Sequence, residues 1–87
     1  MMKYTLINRN KSTVANSNSD FVRWMRKSDL QSFKENEEFM EAYAHRKLTF
    51  EQIELRYHNE NQFVEDLQKN NMLKIEEPPK KWNLFGK

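Results

Sequence analysis

The apolar positions of this chain change period several times, and each change predicts an element. Tyr4-Thr5-Leu6-Ile7 is a β-branched and aromatic run of the kind that forms a strand. Asn8-Arg9-Asn10-Lys11 follows as a hairpin turn, because Asn accepts left-handed backbone angles. Ser12-Thr13-Val14-Ala15 is then the returning strand. Asn16-Ser17-Asn18-Ser19-Asp20 supplies capping oxygens. Phe21, Trp24 and Met25 at i, i+3 and i+4 predict a short helix with one apolar face. Arg26 and Lys27 suit its last turn, where the carbonyl end attracts cations. Leu30 and Phe33 are expected as buried anchors in the connection that follows. A second helix begins near Asn36, with Glu37 and Glu38 in its first turn and an apolar stripe of Phe39, Met40, Tyr43, Ala44 and Leu48.

Residues 49–58 read two ways. Ile53, Leu55 and Tyr57 alternate with Glu54, Arg56 and His58, which is strand period. Thr49-Phe50-Glu51-Gln52 is a capping box, which starts helices. Further on, Asn59 caps a third helix whose buried face is Phe63, Val64 and Leu67. Lys69-Asn70-Asn71 ends it, with Asn in the left-handed position that Gly usually takes. Met72 to Glu76 is a strand, and Pro78-Pro79 breaks it. An internal echo bears on residues 49–58. Ser17 to Lys27 aligns with Asn59 to Lys69 at an offset of 42: caps match caps, Phe-Val matches Phe-Val, Met25 matches Leu67. Extended-looking pieces precede both copies, which favours a strand at 53–57. The expected fold is α+β: one small domain in which a largely antiparallel sheet of three or four short strands packs on three helices, in the order β-β-α-α-β-α-β. Residues 1–77 make the domain and 78–87 a Pro-Pro, lysine and aromatic tail.

From Leu48 onward the chain also resembles a winged helix-turn-helix. Leu48-Thr49-Phe50-Glu51-Gln52-Ile53 looks like the opening of that family's second helix. The resemblance implies a recognition helix over Asn59 to Asn70 and a wing built from Met72 to Glu77, the Pro78-Pro79-Lys80-Lys81 tip and Trp82 to Phe85. The helix departs from the family's chemistry. It carries Glu60, Glu65 and Asp66 against Lys69, whereas duplex affinity comes largely from cations facing phosphates. Such a helix suits a protein partner better than DNA.

Composition narrows the classes of function. Eighty-seven residues hold one domain. There is no cysteine, hence no disulfide and no thiolate metal site, and a reducing, cytoplasmic setting is expected. The single glycine, Gly86, excludes a glycine-rich phosphate loop. No apolar run approaches the ~18 residues of a membrane span, and the N-terminus lacks the apolar segment of a secretory signal. Net charge is +2, unevenly spread. Residues 1–34 carry seven basic groups against two acidic; residues 35–77 carry eleven acidic against five basic; the last ten add three lysines. Segregated charge steers partners and permits self-association, though the same charges also interleave on ordinary folded surfaces.

Candidate chemistry is sparse. His45 follows Glu41 by four residues on the second helix, an ordinary stabilising pair on a helix surface, and the spacing offers no third ligand for a catalytic metal. His58 precedes a helix start. No nucleophile motif or phosphoryl-transfer signature is present, so no enzyme activity, cofactor or metal is expected. The leading expectation is a non-enzymatic interaction module that binds a protein or itself through Trp82, Leu84 and Phe85 of the tail and Glu60, Glu65 and Asp66 of the third helix. The alternative is nucleic-acid binding through Arg23, Arg26, Lys27, Lys34, Lys80 and Lys81.

Overall fold

The structure is a computed structural model, and it describes residues 1–77. Six elements form: β1 (Met2–Leu6), β2 (Lys11–Ala15), α1 (Asn18–Ser28), α2 (Asn36–Glu51), α3 (Glu60–Lys69) and β3 (Leu73–Glu76). The fold is the expected α+β domain, with a three-stranded antiparallel sheet on three helices. Strand order is β2-β1-β3, so the first strand lies in the centre. Tyr4 pairs with Thr13 on one side and Ile75 on the other. Alternation along β1 turns Tyr4 and Leu6 into the core, where Ala15 and Leu73 join them. Lys3, Thr5, Ser12, Val14, Lys74 and Glu76 lie on the other face, which is mostly polar, as water on one side of an antiparallel sheet requires. The β1–β2 turn closes with Asn10 at φ 54°, in the left-handed region.

The two echoing helices start alike. Ser17 (φ −154°, ψ 165°) accepts from the Asp20 N–H, and Asn59 (φ −153°, ψ 168°) accepts from the Gln62 N–H. Each side chain satisfies one of the orphan donors of its helix. Phe21, Val22 and Met25 are buried from α1, and Phe63, Val64 and Leu67 from α3. Phe63 is fully buried, edge-on to Phe39 (centroids 6.4 Å) and Tyr43 (5.6 Å) of α2. The first turns of all three helices meet at one polar junction. Tyr4 Oη donates to Asn18 Oδ1 (2.7 Å), and Asn18 Nδ2 to Asn61 Oδ1 (2.8 Å). Asn36 Nδ2 donates to Glu60 Oε2 (3.1 Å) and to the Ser19 carbonyl (3.2 Å). The Glu60 carboxylate thus sits among three N–H-rich helix ends, where negative charge is favoured.

Three local expectations are corrected. Leu30 is fully exposed and anchors nothing; Phe33 does pack on the core, edge-on to Phe39 at 5.8 Å. Arg26 instead holds this connection, donating to Asn36 Oδ1 and to the carbonyls of Phe33 and Lys34. Residues 53–57 occupy the place expected for a strand and keep its alternation, with Leu55 buried and Ile53 half-buried. They form no ladder; the Arg56 N–H donates instead to the Asp66 carboxylate at 2.8 Å. The winged-helix alternative is not needed. Leu48 to Glu51 closes α2, which stops at Gln52 in the left-handed conformation (φ 58°), where the resemblance implies the opening of a helix; the expected wing tip and Trp82 to Phe85 lie outside the described residues.

Candidate functional site

The surface that could receive a partner is built by β2 and α1. Only two residues separate them, so α1 turns back beside the strand it follows. Its helical period buries Phe21, Val22 and Met25 and leaves Trp24 half-buried at the boundary between helix and strand. An aromatic row runs outward from the core: Tyr4 stacks on Phe21 (4.5 Å, 12°), and Phe21 on Trp24 (5.9 Å, 26°). Burial, with the nearby Asp20 charge, pushes the Tyr4 phenol above its ordinary pKa, so it remains a hydrogen-bond donor at neutral pH. Beyond Trp24 opens a groove of about 320 Å³, lined by Thr13, Val14, Asn16, Asp20, Trp24 and Lys27 among others. Asp20 and Arg23 pair across its lip at 2.8 Å, leaving Lys27 as the cation one turn further along. β2 pairs with β1 on one side only. Among the described residues nothing pairs with its other edge, which presents backbone donors and acceptors.

The residues singled out from the sequence divide into several groups. Trp82, Leu84, Phe85, Lys80 and Lys81 lie outside the described residues. Glu60 belongs to the helix-end junction. Glu65 and Asp66 grip Arg56: Asp66 accepts from its backbone N–H (2.8 Å), Nε (3.0 Å) and Nη2 (2.8 Å), and Glu65 from Nη2 (2.7 Å). Asp66 is only 8% exposed, a brace on the irregular segment after α2. The Arg56 guanidinium holds its carboxyl below the ordinary carboxylate range. Arg23 is exposed but paired with Asp20, and Arg26 is engaged with the α1–α2 connection, so Lys27 and Lys34 are the exposed members of that basic set that make no ion pair among the described residues.

Both histidines approach Tyr57. The His45 ring meets it edge-on at 5.7 Å, and His58 stacks on it at 6.1 Å. Among the described residues no group of three or more His, Asp or Glu could hold a metal ion, and no helix is long and apolar enough to cross a membrane.

The sequence reading missed a second basic cluster. Arg9 of the β1–β2 turn comes together with Arg46 and Lys47 of α2 around Tyr43. The Arg46 guanidinium carbon lies 5.6 Å from the Tyr43 ring centre and Lys47 Nζ 5.5 Å. Burial raises the Tyr43 phenol although three cations pull it down. Two of these cations have carboxylate partners: Asp29 accepts from Arg46 at 3.0 Å and Glu51 pairs with Lys47 at 2.6 Å. Arg9 lies far in sequence from the adjacent pair Arg46 and Lys47, and reads there as an ordinary turn residue.

No protein-family model, no curated protein and no solved structure matches this chain.

Proposed function

We propose that the protein is a non-enzymatic interaction module that takes an extended segment of a protein partner as a fourth strand on the free edge of β2. One observation carries the reading: a strand edge with no partner among the described residues runs beside a groove floored by the half-buried Trp24. Added strands gain main-chain hydrogen bonds from the edge and specificity from pockets for alternate side chains. Here Trp24 offers the apolar pocket. Lys27 and Lys11 set the charge, within a segment of the chain that is strongly basic. The partner's segment is therefore acidic and alternates with apolar residues. The lack of cysteine suits a reducing compartment such as the cytoplasm.

The test is a titration of the labelled protein with a synthetic hexapeptide of alternating Val and Glu, followed by amide chemical shifts. Shifts should concentrate on Lys11 to Ala15 and Trp24. The same peptide N-methylated at alternate residues, in both registers, should lose binding, because it cannot complete the ladder. Trp24→Ala should weaken binding about tenfold, the scale of one buried aromatic contact. Shifts elsewhere, or equal binding by the methylated peptides, would overturn the reading. So would a concentration-dependent dimer held together by the β2 edge, which puts a second copy in the groove.

A further inference from the structure

The cluster of Arg9, Arg46 and Lys47 around Tyr43 shares no lining residue with the groove beside β2 and goes beyond the reading above. It lines an open cavity of about 210 Å³ whose rim carries Phe50. Phe50 is 80% exposed, near the C-terminal end of α2, where a large ring contributes nothing to the core. Asp29 and Glu51 answer Arg46 and Lys47, whereas Arg9 makes no ion pair among the described residues and is exposed. Two of the three positive charges are thus offset, one of them by Glu51 within the cavity itself, so the local excess lies on Arg9 and favours an anion. Guanidinium groups in particular match phosphate oxygens in forked geometry. An exposed aromatic ring beside an open cavity lined by cations is the pairing that nucleotide ligands meet elsewhere: the base stacks and the phosphate is held.

We propose that this cavity binds a nucleotide, its phosphate among Arg9, Arg46 and Lys47 and its base on the Phe50 ring. Tyr43 lines the same cavity. The nucleotide is either free or one unit of a single strand, and both present the same two groups.

The test uses four probes against the full chain: adenosine 5′-monophosphate, adenosine, inorganic phosphate and an oligo-deoxyadenylate of about ten nucleotides. Binding is followed by shifts of the Phe50 ring and of the Arg9 and Lys47 amides. The monophosphate should move all three and bind at least about tenfold more tightly than adenosine or phosphate alone, since each of these offers half the contacts. Arg9→Ala and Phe50→Ala should each weaken it about tenfold. Both side chains are exposed, so the variants should keep the native spectrum. Oligomer binding more than about tenfold tighter than the monophosphate assigns the site to a single strand, and equal binding assigns it to the free nucleotide. No shift at Phe50 or Arg9 with any probe at millimolar concentration would overturn the proposal, as would shifts that both variants leave unchanged. Neither result bears on the peptide groove, which Trp24→Ala tests separately.

Discussion

Phe63→Leu tests whether the core is held by ring geometry or by apolar bulk alone. Phe63 is fully buried and meets Phe39 and Tyr43 edge-on, at 6.4 and 5.6 Å. Leucine refills most of the volume and keeps the site apolar. What it removes is the pair of edge-to-face contacts, worth about 0.5–1.5 kcal/mol each beyond the area they bury. The expected loss is therefore about 1–3 kcal/mol. Phe63→Ala adds a cavity and should lose about 3–5 kcal/mol, a large part of the ~5–15 kcal/mol that holds a small domain together. In a domain of this size about 4–8 °C of melting temperature goes with each kcal/mol. Phe63→Leu should thus melt roughly 8–16 °C lower if the loss is near 2 kcal/mol. Urea unfolding followed by circular dichroism gives the free energy directly, and a cycle with Tyr43→Leu isolates one ring pair, which should couple by about 0.5–1.5 kcal/mol. A loss below about 0.5 kcal/mol for Phe63→Leu, or a coupling of zero, would refute the reasoning, because the core would then tolerate any filler of similar size.

Three further outcomes follow from local geometry. Gln52→Gly should stabilise the protein by roughly 0.5–1 kcal/mol in urea, because glycine takes the left-handed end of α2 without a Cβ clash. Ser17→Ala and Asn59→Ala should each cost about 1 kcal/mol in the same assay, by orphaning one N–H at the start of α1 or α3. Asp66 is held below its ordinary pKa by Arg56, so its contribution is complete above the unfolded value of about 3.9 and is lost as pH falls through the lower folded value. Asp29 adds in the same direction: burial pushes its carboxyl up, but the Gln31 N–H, Arg46 and Arg9 outweigh it. Urea midpoints should therefore fall in acid below about pH 4, and Asp66→Asn should narrow its deficit against the parent there.

What the sequence carried and what it hid divide by range. The caps, the left-handed Asn71 and the twin Phe-Val faces of α1 and α3 depend on neighbours within one turn, and these were legible. The 42-residue echo was real at the level of caps and buried faces. It misled at 53–57, because strand period states which side chains turn inward and is silent on where the backbone hydrogen bonds go, here the Arg56 N–H to Asp66. Leu30 looked like an anchor on hydrophobicity alone, while the connection is held by Arg26, whose carbonyl acceptors no periodicity reveals. The two candidate surfaces were hidden for the same reason. The β2 groove needs α1 to fold back beside its own strand, and the Tyr43 cluster needs Arg9 to meet a helix that begins long after it. Glu65 and Asp66 looked like free surface charge until Arg56 was placed between them.

The central position of β1 has a consequence for how the molecule is made. Tyr4 finds its second neighbour only in Ile75, near the other end of the described chain. Closing so long a loop is entropically costly, and contacts of this kind slow folding. A nascent polypeptide leaving the ribosome can assemble the β1–β2 hairpin early. It must then wait, one side of its first strand bare, until residues beyond 70 emerge. During that interval the bare side is open to pairing with other chains, and a truncation before Leu73 would leave it so permanently.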